Sequence, residues 1–167
     1  MRAVHPMLRL SCLLALLLGL TACGKFPTYD GPEVTRVVVQ KADRRMYLLH
    51  HEEILQAHDI DLGFAPEGHK QIEGDGRTPE GEYLIDRRNP NSSFYLSIGI
   101  DYPRPRDIKA AAALGKDPGG DIFIHGRGNL LTLLRPDWAG GCIAVTDDEI
   151  EEIYAMVQNG TPISIYK

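Results

Sequence analysis

Two residues of this 167-residue chain combine a reactive side chain with a setting that suits chemistry, His125 and Cys142. In Ile122-Phe123-Ile124-His125-Gly126 and in Gly140-Gly141-Cys142-Ile143-Ala144-Val145, each polar group sits at the end of a short apolar run. If the two runs are neighbouring strands, thiol and imidazole meet across them. A nearby imidazole lowers a thiol pKa and favours the thiolate, which is the nucleophilic form. Gly140 and Gly141 let the backbone approach a substrate closely, and the amides of Gly141 and Cys142 are then placed to reach an oxyanion. By cysteine count alone, a buried and inert Cys142 fits equally well.

The elements that must position these groups are mostly strands. Val34 to Gln40 and Arg45 to His50 read as a hairpin turned at Ala42-Asp43-Arg44, both rich in Val, Leu and Tyr. Ile54 to Gly63 reads as a third strand. Gly68 to Gly81 reads as a loop rich in Gly and charge, and Thr78 to Gly81 carries a turn signal. Glu82 to Asp86 and Phe94 to Ile100 are further strands, separated by Asn89-Pro90-Asn91. Pro105 to Leu114 reads as a short helix stopped by Gly115. Asp121 to Ile124 leads into His125, and a loop of about 16 residues follows, long enough to be functional by length. Cys142 to Val145 is a short strand. Thr146 and Glu149 form a capping box for a helix with an apolar stripe of Ile150, Ile153, Tyr154 and Val157, ended by Asn159-Gly160. Pro162 to Tyr166 closes the chain as a last strand. The expectation is a mainly β domain with mixed sheets and two short helices.

Composition fits a globular domain, and the N-terminal stretch predicts that it is exported. Hydrophobic residues make up 43% and charged residues 25%, ordinary for a globular core, and the formal charge is −5. No basic block supports a grip on nucleic acid. Arg2 and Arg9 precede an apolar run from Leu10 to Leu20, too short to span a bilayer and suited to a secretory signal. Leu20-Thr21-Ala22-Cys23 resembles the lipobox of bacterial lipoproteins, which implies a signal over residues 1–22 and lipidation of Cys23. Gly24 after it favours the outer membrane. An ordinary cleaved signal or a membrane anchor are the alternatives. Residues 23–33 then form a tether and 34–167 the domain. Cys12 leaves with the signal, so Cys142 is a solitary thiol in an oxidising compartment, where an unpaired thiol is a candidate reactive group.

His125-Gly126 followed by Gly141-Cys142 resembles the signature of the L,D-transpeptidase (YkuD-type) catalytic domain, in which His-Gly precedes Ser-His-Gly-Cys. Asp75-Gly76-Arg77-Thr78-Pro79-Glu80-Gly81 is similar to that family's D-x-x-T-P-x-G loop, and Tyr102-Pro103 and the stretch from Asp137-Trp138 to Asp148 resemble one proteobacterial branch. The resemblance implies a periplasmic enzyme of the YkuD-type fold, needing no metal or organic cofactor, that acts as a monomer on peptidoglycan stem peptides. Cys142 would attack the carbonyl of the stem's third residue, a diamino acid, and release D-Ala. His125 would be the general base, oriented by the carbonyl of Gly126 or its neighbour, and Gly141 would supply an oxyanion amide. Tyr102, Arg127, Trp138 and Gly140 are the candidates for substrate contact. Two departures stand out: Ala139-Gly140 replaces Ser-His, and Ala144 replaces an Arg that often helps bind the substrate carboxylate. Arg127 or Arg135 is the candidate substitute, against the alternative of a solvated Arg.

Other chemistries fit less well. A papain-like protease has Cys before His. Zinc finds no ligand spacing among one available Cys and scattered His residues. His50, His51, His58 and His69 read as surface positions, with His69 the nearest to a groove. Asp59 and Asp61 read as a solvated strand face. Trp138 either stacks on a glycan or stem or packs its loop down, and Thr78 to Gly81 shapes the groove wall. A hydrolase using the same acyl-enzyme and a wall-binding lipoprotein with an idle thiol remain as alternatives.

Overall fold

The computed structural model describes residues 27–128 and 138–167. Along the chain run β1 (Arg36–Gln40), β2 (Arg45–His50), β3 (Glu53–Asp59), β4 (Gly81–Ser92), β5 (Tyr95–Ile100), α1 (Pro105–Ala113), β6 (Phe123–His125), β7 (Ile143–Ala144), α2 (Asp147–Met156) and β8 (Pro162–Tyr166). The strands join in one mixed sheet in the order β3-β2-β1-β8-β4-β5-β6-β7. The leader, with Cys12 and Cys23, lies outside the described residues. Among the described residues, no helix is long and apolar enough to cross a membrane.

Alternation builds the first half of the sheet. In β1, Val37 and Val39 are fully buried while Arg36, Val38 and Gln40 are only half-buried; in β2, Met46 and Leu48 repeat the pattern. These strands pair antiparallel from Arg36↔Leu49 to Gln40↔Arg45, and β1 pairs parallel with β8. The third strand ends at Asp59, earlier than its composition suggests. Beyond it, Asp61 bridges to Ala144 through reciprocal bonds of 2.9 Å and so supports the β7 end of the sheet.

β4 joins the two halves and differs most from expectation. Its first four residues pair with β8, and from Ile85 onward it pairs with β5. It runs straight through Asn89-Pro90-Asn91, which reads as a break in the sequence. The register shifts between Asn89 and Ser92, so Pro90 faces no ladder partner and its missing N–H costs no hydrogen bond. The Ser92–Tyr95 hairpin end brings Phe94 back toward β6. α2 packs against β5 and β6 through buried Ile150, Ile153 and Tyr154. Its capping box forms as expected, Glu149 N–H donating to Thr146 Oγ1 at 3.3 Å and Thr146 N–H to Glu149 Oε2 at 2.9 Å.

Polar residues fasten the loops to this core. Asp107, 3% exposed, accepts from Arg104 N–H at 2.9 Å and from the Tyr83 hydroxyl at 3.2 Å, and His69 Nε2 lies 3.4 Å away. It thereby ties the start of α1 to β4 and to the charged loop. His69 also accepts the Glu80 N–H at 2.9 Å, so it is a loop brace rather than a groove residue. His58 is likewise no surface position: it is 5% exposed and its Nδ1 lies 3.3 Å from Glu149. Removing the Asp107 carboxylate leaves buried donors without an acceptor, which costs about 3 kcal/mol. Asp107→Ala is expected to lower the unfolding free energy by that amount in a urea titration; a loss below about 1 kcal/mol would show that the Asp107 network is not structural.

Candidate active site

β6 and β7 are neighbours and parallel, with Ile124↔Ile143 and His125↔Ala144 in register. Cys142 therefore stands one step before β7, opposite Phe123. Facing residues of a parallel pair share a face of the sheet, and side chains two apart along a strand share it too. Cys142, Phe123 and His125 are thus on one face, and all three line a cavity of about 430 Å³. Asn89, Ser92, Ser93, Phe94, Ser97 and Asp121 complete its walls.

The imidazole is held rigidly. His125 is 2% exposed, and its Nδ1 lies 2.6 Å from the Gly126 carbonyl oxygen. A carbonyl only accepts, so Nδ1 carries the proton and Nε2 presents the free lone pair. The Phe94 ring stacks on the imidazole at 4.5 Å, and Trp138 meets it edge-on at 5.3 Å. Burial holds the imidazole below the ordinary histidine range, against the opposing effect of the Gly126 hydrogen bond.

The sulfur is the one free thiol among the described residues and is half-buried, open to the cavity. It accepts the Phe123 N–H at 3.4 Å and donates to the Asp121 carbonyl at 3.5 Å. Burial pushes its pKa up; the Phe123 N–H pulls it down, and of the nearby charges Asp121 adds to the rise while Lys70 and Arg87 oppose it. The sequence suggests a thiol acidified by its imidazole. The structure shows the opposite balance, because burial outweighs every favourable partner and the resting S–H points to backbone. Thiol and imidazole are both shifted toward their neutral forms.

The backbone before the sulfur is shaped by close approach. Gly141 has φ 113°, and a side chain there would meet the Arg77 carbonyl oxygen at 2.6 Å. Across from it, a side chain at Gly63 would come within 2.4 Å of the Gly141 nitrogen. The loop from Asp75 to Gly81 is thus pressed by its main chain against the turn that delivers Cys142. Asp75 holds that loop by accepting the Gln71, Ile72 and Arg77 N–H groups at 2.8, 3.1 and 3.1 Å. Of the two amides expected to face an oxyanion, that of Cys142 is occupied, donating to Ala139 at 3.0 Å. The Gly141 N–H has no acceptor among the described residues.

The remaining substrate candidates are placed differently from expectation. Tyr102 is 3% exposed, stacks edge-on against Tyr83 at 6.0 Å and gives its hydroxyl to Pro118 at 3.1 Å. It is a core residue, since its ring belongs to the packing under α1. Arg127 is not a freely solvated side chain: its guanidinium pairs with Asp61, and its N–H donates to Asp147 Oδ1 at 2.7 Å. It binds the β3 exit to the start of α2. Trp138 packs on His125 and Phe94 instead of lining the cavity. Gly140 is exposed with φ 63° and shapes the turn. Arg135 lies outside the described residues. Among the described residues no three His, Cys, Asp or Glu side chains converge as a metal would require.

Sequence reasoning missed Phe94 and Asp121. Phe94 follows Ser92-Ser93 at the tip of a hairpin, where an apolar residue has no local reason to be, and that mismatch was the available signal. Asp121 follows Gly119-Gly120 and adopts φ 54°, a conformation that Asp tolerates better than most residues.

Known proteins share this fold. The family model of the L,D-transpeptidase catalytic domain, YkuD, matches residues 34–165. YafK of Escherichia coli K12, named as an L,D-transpeptidase, is 32% identical over 108 residues, which is 59% of this chain and 38% of YafK. The helical cell shape determining protein Pgp2 of Campylobacter jejuni superposes with a TM-score of 0.62 at 26% identity, covering 85% of this chain and 50% of Pgp2. L,D-transpeptidase 1 of Mycobacterium tuberculosis shares the fold, with a TM-score of 0.52 at 13% identity over 81% of this chain and 62% of that one. The chain spans half or less of the length of YafK and Pgp2. With its fold and the order of its motifs in agreement, the chain belongs to the L,D-transpeptidase (YkuD) catalytic domain family.

Proposed function

We propose that this protein is a peptidoglycan L,D-transpeptidase that works through a thioester on Cys142. One observation carries the reading: the one free thiol among the described residues and a tautomer-locked imidazole open onto the same cavity, on adjoining parallel strands. Because the ground state is neutral, the thiolate forms only as the substrate is engaged. The S–H leaves the Asp121 carbonyl and passes its proton to His125 Nε2 while sulfur attacks the carbonyl of the stem's third residue. The Gly141 N–H supports the oxyanion. Collapse expels the amine of D-Ala, which takes the proton back from Nε2. An incoming amine from another stem or from a wall-attached protein then resolves the thioester, with His125 as base again.

Pgp2 is named for determining helical cell shape. A role in cell shape calls for changes to the wall, and a second outcome on the same acyl-enzyme is its hydrolysis, in which water resolves the thioester and the stem is shortened. Product masses from purified muropeptides separate the two, a cross-linked dimer against a trimmed stem. In either case the work belongs to the periplasm, with Cys23 as the lipid anchor.

Incubation with a carbapenem is expected to add one drug mass to the protein. Cys142→Ala should abolish the adduct, and His125→Ala should slow its formation by about 10²–10⁴-fold with the fold retained. An adduct on Cys142→Ala, or an unchanged rate for His125→Ala, would refute the assignment. The neutral resting pair sets a second expectation. The raised thiol pKa keeps the thiolate scarce at neutral pH, so the iodoacetamide alkylation rate should still be climbing above about pH 8.5. A plateau below pH 7 would instead reveal a preformed thiolate–imidazolium pair. Finally, Cys23→Ser is expected to abolish lipid labelling and move the protein from the membrane fraction to the soluble periplasm; retained labelling would overturn the anchor.

A further inference from the structure

The cavity around Cys142 has an uneven lining. Asn89, Ser92, Ser93 and Ser97 bring uncharged polar groups, Phe94 and Phe123 bring apolar ones, and His125 is held toward its neutral form. Asp121 is the one carboxylate among the lining residues. Its side chain is 92% exposed, and its own carbonyl is the acceptor of the Cys142 S–H. The carboxylate is therefore at the mouth of the cavity, attached to the residue that touches the nucleophile.

Its only ion pair among the described residues does not neutralise it. Arg87 Nη2 lies 3.3 Å from Asp121 Oδ1, but the same guanidinium lies closer to Asp86, at 3.0 Å. Arg87 is also held over the Phe123 ring at 4.6 Å. Two carboxylates share one cation, so the group carries a net negative charge, and its more exposed member belongs to a residue that lines the cavity. Placing a negative charge beside a sulfur that must become a thiolate works against the chemistry, since Asp121 adds to the rise of the thiol pKa. A carboxylate in that place is understandable if the substrate supplies the countercharge.

We infer that Asp121 is a specificity-determining residue that receives a cationic amino group of the substrate at the mouth of the Cys142 cavity. The inference rests on the acyl-transfer reading for the cavity's being the substrate site, and it narrows the substrate to a peptide with a free amine near the scissile carbonyl. A diamino acid at the third position of the stem has such a group on its side chain. When that ammonium binds, it cancels the charge that opposes thiolate formation, so the correct substrate also eases proton transfer to His125. Peptides without the amine leave Asp121 uncompensated. The charged mouth thus discriminates by removing a penalty as well as by attraction.

The test uses two tetrapeptide stems, one with a free side-chain amine at the third residue and one with that amine acetylated. Acylation is followed on the full chain, and equilibrium binding of both peptides on the full chain carrying Cys142→Ala. Asp121→Asn removes the charge while keeping a residue that tolerates φ 54°, so the turn and its carbonyl are preserved. The free-amine peptide should bind about fivefold more tightly than the acetylated one, as an exposed ion pair allows. Adding Asp121→Asn should bring that ratio to about one, and added salt should shrink it in the parent only. A ratio near one in the parent, or one that survives Asp121→Asn, overturns the inference. The two readings fail separately: a preference that depends on Asp121 without any Cys142 adduct would sink the transpeptidase reading alone, and acylation without the preference would sink this one alone.

Discussion

The parallel pairing of β6 with β7 is the constraint on which the site depends. Only two residue pairs are in register, Ile124 with Ile143 and His125 with Ala144, yet they join segments separated by a long loop. A parallel pair cannot be closed by a tight turn, so its stability must come from its surroundings. Ile124 and Ile143 are fully buried in the core, and the Asp61–Ala144 bridge holds β7 from its other edge. A one-residue slip would turn Cys142 to the opposite face from His125. The chemistry therefore depends on register as much as on residue type.

A second layer of contacts turns that register into a catalytic geometry. The Gly126 carbonyl selects the tautomer, and Phe94 with Trp138 fixes the plane of the ring. Arg127, bound to Asp61 and Asp147, locks the segment just after His125 to both the β3 exit and α2. The glycines at 63 and 141 let two main chains approach more closely than any side chain would permit. These contacts have a cost for the nucleophile, because the enclosure that orders the site also disfavours the thiolate. Oxidation of a thiol follows thiolate character, so the enclosure that raises the thiol pKa also protects the sulfur from oxidation.

Much of the architecture was legible because it follows local rules. Alternation in Val37, Val39, Met46 and Leu48 marked the first hairpin, and Thr146 with Glu149 marked the start of α2 within a residue. The start of β4 at Glu82 to Asp86 was legible but its continuation to Ser92 was not, because Pro90 is a break by local rules and becomes harmless only where the register shifts. The surroundings of Tyr102 and Arg127 were not legible for a related reason. Each is polar and lies near a motif, but burial of the Tyr102 ring and the pairing of Arg127 with Asp61 depend on chain segments far away in sequence.

The sequence by itself determined the kind of chemistry: one available thiol, one imidazole at a strand end, and glycines before the sulfur. Those are properties of residue types and short spacings, which covalent neighbours suffice to define. Only the tertiary structure decided the state of that chemistry. Whether the thiol is acidified or held neutral, which amide is left open, and which carboxylate stands at the cavity mouth all depend on burial and on through-space charge. Both quantities are set by residues that the chain brings together only when it folds, as with Phe94 and Asp121 around His125 and Cys142.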